Sequence, residues 1–447
     1  MCDQLRWDAL SCTDDWCDTP NIDSIAKEGM IFTDCVTNSP VCIPARVSLA
    51  TGHYPHTHGM WNNGQYDMPE ESNTWMQTFK DMGYRTSLFG KTHLHRHEGD
   101  LRDREHLIKS YGLDDFDEIG GPRASANVMS HMTECWEKNN LLEAYRDDYE
   151  DRFKNYPHVV RASALPLEHY ADVYVGQKAK AYLQSYNLNN PWMCWVSFGG
   201  PHEPWDTPEP YASMFNAQDM PEPRVAPKDM SEDSPEGCFQ TGENKKALSK
   251  EQYGLMRADY AGNVKLIDDQ IGEIVTTIKE RGEWDNTIIV LSSDHGEMNG
   301  DAGRIYKSNF MDGAVRIPLI FRVPGVTHGT KTSASSELMD VGPTLIDLAG
   351  GTVDYEQFAV SQKKVITGEV VKVRPFSISE FQNEIMIYDE EYKGVMNKNG
   401  EIYLLFFRKN DELERHNLAG HEDYKEIERK LKAKIVEFKE QNDLSKG

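Results

Sequence analysis

Apolar, strand-like runs that end on polar clusters set the tightest limit on how this chain can fold. Thr287-Ile-Ile-Val-Leu291 is a continuous apolar run, the pattern of a strand covered on both faces, and Ser292-Ser-Asp-His-Gly-Glu297 follows it at once. Trp192–Phe198 is followed by Gly199-Gly-Pro-His-Glu-Pro204, and Tyr84–Phe89 by Gly90-Lys-Thr-His93. Helical patterns stand between these runs. In Gln252–Arg281 the apolar residues Val264, Ile267, Ile271, Ile274 and Ile278 recur at intervals of three and four. Leu167–Tyr186 is amphipathic, and Thr74–Met82 carries Trp75 and Phe79 on one face. Helices alternating with apolar strands predict an α/β fold, a mostly parallel sheet flanked by helices. In such a sheet ligands bind beyond the carboxyl ends of the strands. Lys91, His93, His202, Asp294 and His295 are therefore predicted to meet in one pocket.

The remaining segments fit that frame. Pro20 at a first helical position and Gly29 at a stop predict a helix capped by Thr19. Met30–Val36 and Ile317–Val323 read as strands, and Asp340–Leu348 as a helix. The stretch from about Glu98 to Leu165 is charged and irregular, which reads as an insertion or substrate-facing region, and Asp206–Lys250 reads as a long surface loop. After about Lys364 the texture changes. Met386–Asp389, Tyr392–Asn397 and Glu401–Phe407 read as short antiparallel strands, with Asn399-Gly400 as a hairpin turn, and a charged helix from Glu422 to Glu440 closes the chain. The predicted organisation is a catalytic domain, 1–364, and a small C-terminal α+β subdomain with an antiparallel sheet, 365–447.

A formal net charge of −25 argues against nucleic-acid or anionic-membrane partners. An anionic substrate needs a local cationic pocket or a metal ion here. Asn38-Ser-Pro-Val-Cys42-Ile-Pro44-Ala-Arg46 through Thr51-Gly52 places Cys42 at a helix N-terminus, where backbone N–H groups favour negative charge, and Arg46 one turn on. A buried thiol beside a surface arginine is the plain reading of that pair; the three strand-end clusters favour a nucleophile beside a fixed cation. Asp294 and His295, with Asp3 and Gln4, can hold a divalent ion. Oxygen ligation favours Ca2+ or Mg2+, and the histidine also admits Mn2+ or Zn2+. Lys91 and Lys307 can neutralise a tetrahedral anion, although Lys307 alone would read as a solvated side chain. His93 and His202 can act as base and acid. His53, His56 and His58 read as loop hydrogen bonding, His95 and His97 as lining the loop of His93, Asp301 as a turn residue, and Cys194 as a buried thiol. Eight cysteines without a CxxC pair suit a reducing compartment. No run of about 18 apolar residues predicts a membrane span, and no signal peptide is visible in the sequence. The location read from the sequence as it stands is cytoplasmic, or periplasmic or secreted if a signal lies upstream.

These residues together resemble the type I sulfatases of the alkaline-phosphatase-like superfamily. Cys42-Ile-Pro-Ala-Arg46 with Thr51-Gly52 resembles the sulfatase signature, and Asp3-Gln-Leu-Arg6-x-Asp8 the N-terminal metal motif. Gly90-Lys-x-His93, Gly200-Pro-His202, Ser293-Asp-His-Gly-Glu297 with Lys307, and Glu412–Ala419 resemble the family's further motifs, in the family's order. The resemblance implies an alkaline-phosphatase-like fold and oxidation of Cys42 to Cα-formylglycine by a separate maturation enzyme. It implies one divalent metal, most simply Ca2+, held by Asp3, Gln4, the modified Cys42, Asp294 and His295. It further implies that a hydroxyl of the hydrated aldehyde attacks sulfur, that His202 protonates the leaving alcohol, and that His93 deprotonates the second hydroxyl to expel sulfate. Arg46 would hold the diol, and Lys91 and Lys307 the sulfate oxygens.

Three departures stand out. Gln4 replaces a second Asp and His295 replaces Asn, as in branches near phosphonate monoester hydrolases and phosphodiesterases. Those relatives usually lack the equivalents of Lys91 and His93, which favours sulfate esters, sulfated sugars among them. Family members also carry an apolar strand ahead of the Asp3 motif, and the resemblance places that strand upstream of residue 1. An inactive carbohydrate-binding relative is the reading from another class, and the intact polar set argues against it.

Overall fold

The computed structural model describes residues 1–14, 16–64, 66–154, 159–227 and 248–442. The run Arg85–Gly90 (β3) pairs in parallel with Asp115–Glu118 (β4) on one side and Trp192–Ser197 (β5) on the other. A second group follows the order Ile289–Ser292 (β6), Leu319–Arg322 (β7), Met30–Phe32 (β1), Thr330–Thr332 (β8). Here β7 is antiparallel to both neighbours, and β1 and β8 are parallel. A two-strand parallel pair, Cys35–Val36 (β2) with Ser336–Glu337 (β9), lies beyond.

The first two residues join the groups. The Met1 amino group donates to Val196 O (2.8 Å), Phe198 N to Met1 O (3.0 Å) and Cys2 N to Ser292 O (3.0 Å). Met1 and Cys2 thus bridge the carboxyl ends of β5 and β6. Between those strands lies a cavity of about 1080 Å³, bordered by Trp195, Val196, Val290, Leu291, Ile274 and Val341.

Side chains alternate across the sheet as the strand period requires. Leu88, Leu319 and Phe321 enter one core with helices Cys42–Thr51 (α2), Trp75–Asp81 (α3) and Val341–Leu348 (α6). Phe89 and Ile320 enter the other, with Pro20–Glu28 (α1), Ala171–Ser185 (α4) and the 31-residue Lys250–Glu280 (α5). The five isoleucines and valines of the predicted α5 stripe are all buried there.

The C-terminal strands Phe376–Phe381 (β10), Glu384–Asp389 (β11), Tyr392–Met396 (β12) and Ile402–Phe407 (β13) form an antiparallel meander. One face takes Leu431, Ile435 and Phe438 of the final helix, Lys425–Gln441 (α7); the other packs on Val36, Val41, Phe310 and Val315. Two buried ion clusters fasten the C-terminal segment to residues 312–340. Arg374 pairs with Glu337 (3.0 Å) and with Asp340, and Lys393 with Asp312 (2.9 Å) and with Glu414.

Several sequence expectations need correction. Met30–Val36 is two strands, because Met30–Phe32 pairs with β7 and β8 whereas Cys35–Val36 pairs with β9. The stretch read as irregular, 98–165, holds β4 and the helices His131–Lys138 and Leu142–Lys154. Its strand Asp115-Phe-Asp-Glu118 has three acids in four residues, so no apolar pattern marks it. Asp301 is no solvated turn residue: it is buried between Arg6 (2.8 Å) and Arg257 (2.6 Å). Much of the predicted surface loop, 228–247, lies outside the described residues. Among the described residues no helix is long and apolar enough to cross a membrane.

Candidate active site

The site grows from the start of α2. Val41 is extended and Cys42 is the first helical residue; Gly52 ends the helix with φ 73°, a left-handed turn that suits glycine. Every side chain from Cys42 to Thr51 is buried. Cys42 Sγ lies 3.1 Å from His295 Nε2 and 4.0 Å from Asp3 Oδ1. His295 Nδ1 lies 3.0 Å from Gly296 O. A carbonyl only accepts, so Nδ1 carries the proton and Nε2 faces the sulfur.

Arg46, fully buried, is the hub. Its Nε donates to Asp294 Oδ2 (2.7 Å), its Nη1 to Lys91 O (2.7 Å) and Ser197 Oγ (3.1 Å), and its Nη2 lies 3.4 Å from Asp3 Oδ2. Lys91 Nζ pairs with Asp3 as well. The loops after β3, β5 and β6 therefore meet on one guanidinium. Asp294 Oδ1 accepts from Gln4 N (3.0 Å) and His295 N (2.9 Å).

A second layer surrounds Lys307, which is half-buried and bonded rather than solvated. Its Nζ donates to Gln4 Oε1 and to His202 Nε2 (2.7 Å). His202 Nδ1 donates to Glu203 O (2.7 Å), so Nε2 is the accepting nitrogen and the Lys307–His202 pair shares one proton. Gln4 Nε2 donates to Glu203 Oε2 (2.8 Å) and to Glu297 Oε2. Gln4 thus spends its side-chain amide on Lys307 and two carboxylates.

The charges explain themselves. Burial alone would raise the Cys42 thiol, but Lys307, Lys91 and His295 outweigh it and hold it well below its ordinary range. Burial and Cys42 push Asp3 up, and Lys91, His202 and Arg46 overcome both to hold it low. Burial, then Lys91, drives His93 well below its usual value, so it stays a neutral base. Burial and nearby Glu203 push Glu297 up to about 7. Backbone strain gathers here too: Gln4 (φ 69°), His93 (φ 54°), Tyr306 (φ 71°) and Ser308 (φ 70°) are all left-handed.

All the predicted residues reach this site. Asp3, Cys42, Asp294 and His295 bring one ligating atom each to within 4.8 Å of one another, and all four are buried. Two carboxylates, an imidazole and the Cys42 position suit a hard divalent cation, with the histidine admitting softer ones. Sequence reasoning missed Glu203 and Glu297 as site carboxylates, and Ser197. The first two stand inside the strand-end clusters, where any acid next to a candidate histidine is a signal; Ser197, the last residue of an apolar strand, gives none.

Comparison with known proteins agrees with this geometry. A family model described as Sulfatase matches residues 1–351, and one described as N-sulphoglucosamine sulphohydrolase, C-terminal, matches 300–441. The chain belongs to the sulfatase family. It is thereby a sulfuric ester hydrolase of the alkaline-phosphatase-like superfamily. An arylsulfatase of Clostridium perfringens is 28% identical over 100% of this chain and 96% of its own length. An ulvan-active sulfatase of Formosa agariphila is 26% identical over 97% and 79%. Among solved structures, a phosphonate monoester hydrolase of Agrobacterium radiobacter superposes with TM-score 0.80 at 23% identity, covering 99% of this chain and 95% of that one. A protein solved with its substrate D-glucosamine-2-N,6-O-disulfate gives TM-score 0.75 at 21% identity, covering 99% and 97%. The structural likenesses establish the shared fold of this family member.

Proposed function

We propose that this sulfatase-family member hydrolyses an organic sulfate ester, such as a sulfated carbohydrate, through formylglycine formed at Cys42. The observation that carries the reading is the convergence of Lys91, His202, His295 and the half-buried Lys307 on Cys42 at the N-terminus of α2. Asp3, Asp294, His295 and the modified Cys42 would hold one divalent ion, Ca2+ by donor type, with Gln4 beside them. Such an ion supplies Lewis-acid polarisation, and the aldehyde hydrate supplies the nucleophilic oxygen.

The chain's own residues do the rest. Lys91 and Lys307 bring two cations to a tetrahedral anion in a protein whose net charge is strongly negative. The proton between Lys307 Nζ and His202 Nε2 is placed for the leaving alkoxide, and Glu203 O fixes the ring that delivers it. His93, kept neutral, can take the proton whose removal lets sulfate leave. Arg46 and the start of α2 orient the residue at position 42. With α2 buried, a maturation enzyme would meet Cys42 before folding closes around it.

The test is to co-express the chain with a formylglycine-generating enzyme and confirm the aldehyde by mass spectrometry of the Cys42 peptide and by hydrazine labelling. Sulfate release from aryl and sugar sulfates is then compared with turnover of matched phosphodiesters and phosphonate monoesters. Aldehyde-bearing protein that releases no sulfate sinks the proposal. Faster turnover of phosphorus esters selects the second reading, a phosphonate monoester hydrolase or phosphodiesterase, which Gln4 and His295 favour.

A further inference from the structure

The segment after β3 carries histidines that the reaction does not use. Leu94 turns into the core (1% exposed), and His95 and His97 point to the end of β4 instead. There His95 Nε2 lies 2.7 Å from Glu118 Oε2 and His97 Nε2 lies 3.4 Å from Glu118 Oε1. The three side chains are 0%, 3% and 5% exposed. Their ligating atoms all lie within 4.8 Å of one another.

The protons decide what this cluster is. His95 Nδ1 lies 3.0 Å from Arg96 O, and His97 Nδ1 lies 3.1 Å from Gly120 O. Both partners are carbonyls, so both Nδ1 atoms carry hydrogens and both Nε2 atoms face the Glu118 carboxylate, where a neutral ring presents a lone pair and a protonated one donates. Imidazoles whose far nitrogen is tied to a backbone carbonyl, with the near nitrogen converging on a carboxylate, are arranged as metal ligands are. The competing arrangement is an ion pair in which only His95 is protonated and donates to Glu118 (2.7 Å) while His97 stays neutral. It would leave the His97 Nε2 lone pair turned on a carboxylate oxygen at 3.4 Å with no proton between them, its ring stacked at 4.6 Å on His93. Ligands about 2.0–2.1 Å from a tetrahedral ion lie about 3.3–3.4 Å from one another, and His97 Nε2 already stands that far from Glu118 Oε1, which also accepts from Thr92 Oγ1. His95 meets the other oxygen, Oε2, so a small turn of the carboxylate would let one oxygen serve with both rings.

We propose that His95, His97 and Glu118 bind a zinc-type divalent transition-metal ion, at a site separate from the Asp3–Asp294–His295 group. Two imidazoles and one carboxylate make a donor set for zinc or its transition-metal neighbours, and a poor one for calcium or magnesium. The ion ties the loop 91–97 to the end of β4. That loop carries Lys91 and His93, and the His97 ring is the surface on which His93 rests. The site therefore fixes the backbone of a catalytic loop and does not touch substrate. It stands independently of the sulfate-ester reading.

The full-length protein is prepared with zinc, passed through a desalting column and assayed for bound metal, and its crystals are measured on both sides of the zinc absorption edge. The expected result is an anomalous peak within bonding distance of His95 Nε2, His97 Nε2 and a Glu118 oxygen. Glu118→Gln and His97→Ala are expected to bind zinc about a hundredfold more weakly in competition with a chromophoric chelator. In protein made without a formylglycine-generating enzyme, where Cys42 keeps its thiol, cobalt substitution separates the two sites, since only an ion at the Cys42 group shows a thiolate charge-transfer band. A peak at the Cys42 group with none on the triad overturns the proposal, as does zinc affinity unchanged in both variants. The wild-type map decides alone if the variants fail to fold.

Discussion

Lys393→Met tests how the C-terminal sheet supports the catalytic loops. Lys393 is 1% exposed, with Nζ on Asp312 (2.9 Å) and on Glu414, whose other oxygen accepts from Asp312 N (2.8 Å). Removing the cation leaves two buried carboxylates about 4 Å apart, a repulsion of about 4 kcal/mol at an effective dielectric of 20. Two features reduce that figure. Arg316 lies 3.4 Å from Asp312 and still neutralises it, and Glu414, already pushed up to about 7 by burial and by Asp312, can take a proton. The expected loss is therefore about 3 kcal/mol, the low end for breaking a buried pair. The pH sign follows from the groups left behind. Without Lys393 it is Glu414, raised already by burial and by Asp312, that titrates above its unfolded value, so stability is lost as pH rises and recovered as it falls. Urea unfolding should show the deficit largest at pH 8 and shrinking toward pH 5. Lys393→Met with Glu414→Gln should recover most of it, because the glutamine still accepts from Asp312 N. Turnover should fall with stability, since Asp312–Val315 abuts the site: Gly296 N donates to Ala314 O (2.8 Å). A deficit under about 1 kcal/mol at pH 8, or no recovery in the double variant, would refute the reasoning.

Arg46→Lys keeps the charge but supplies one nitrogen for contacts now shared among three; kcat should drop at least about a hundredfold, with far-ultraviolet circular dichroism unchanged. Gly90→Ala should abolish soluble expression or cost about 3 kcal/mol or more, because φ is +112° and a Cβ would sit 1.9 Å from Ser197 O. Asp259 is pushed up to about 8 by burial and by Asp206. Its charged form is penalised only in the fold, so stability should fall as pH rises from 6 to 8, by about 2–3 kcal/mol, and Asp259→Asn should flatten that fall in urea titrations.

Much of the site was legible because Lys91, His93, His202, Asp294 and His295 each closely follow an apolar run. His202 comes four residues after Phe198, and Asp294 three after Leu291, so locating the strands located the pocket. The α5 stripe was legible for the same reason, a simple period. What escaped detection lacks a local pattern. β4 is a strand by its pairing with β3, not by its composition, and Glu118 escaped with it. Asp301 looked like a turn residue because Arg6 and Arg257 are remote in sequence. The role of Gln4 could not be read either, since Glu203, Glu297 and Lys307 gather around it only in three dimensions. The slot between β5 and β6 has no signature in the sequence at all.

That slot has a practical side. The Met1 nitrogen is buried and bonded to Val196 O, at the mouth of a channel walled by two strands. Whatever is joined to that nitrogen must begin inside the sheet. An affinity tag or fluorophore attached there either threads between β5 and β6 or wedges them apart, a few residues from Asp3 and His202. Labels for this protein are better carried beyond α7, where Lys439, Glu440 and Gln441 are exposed.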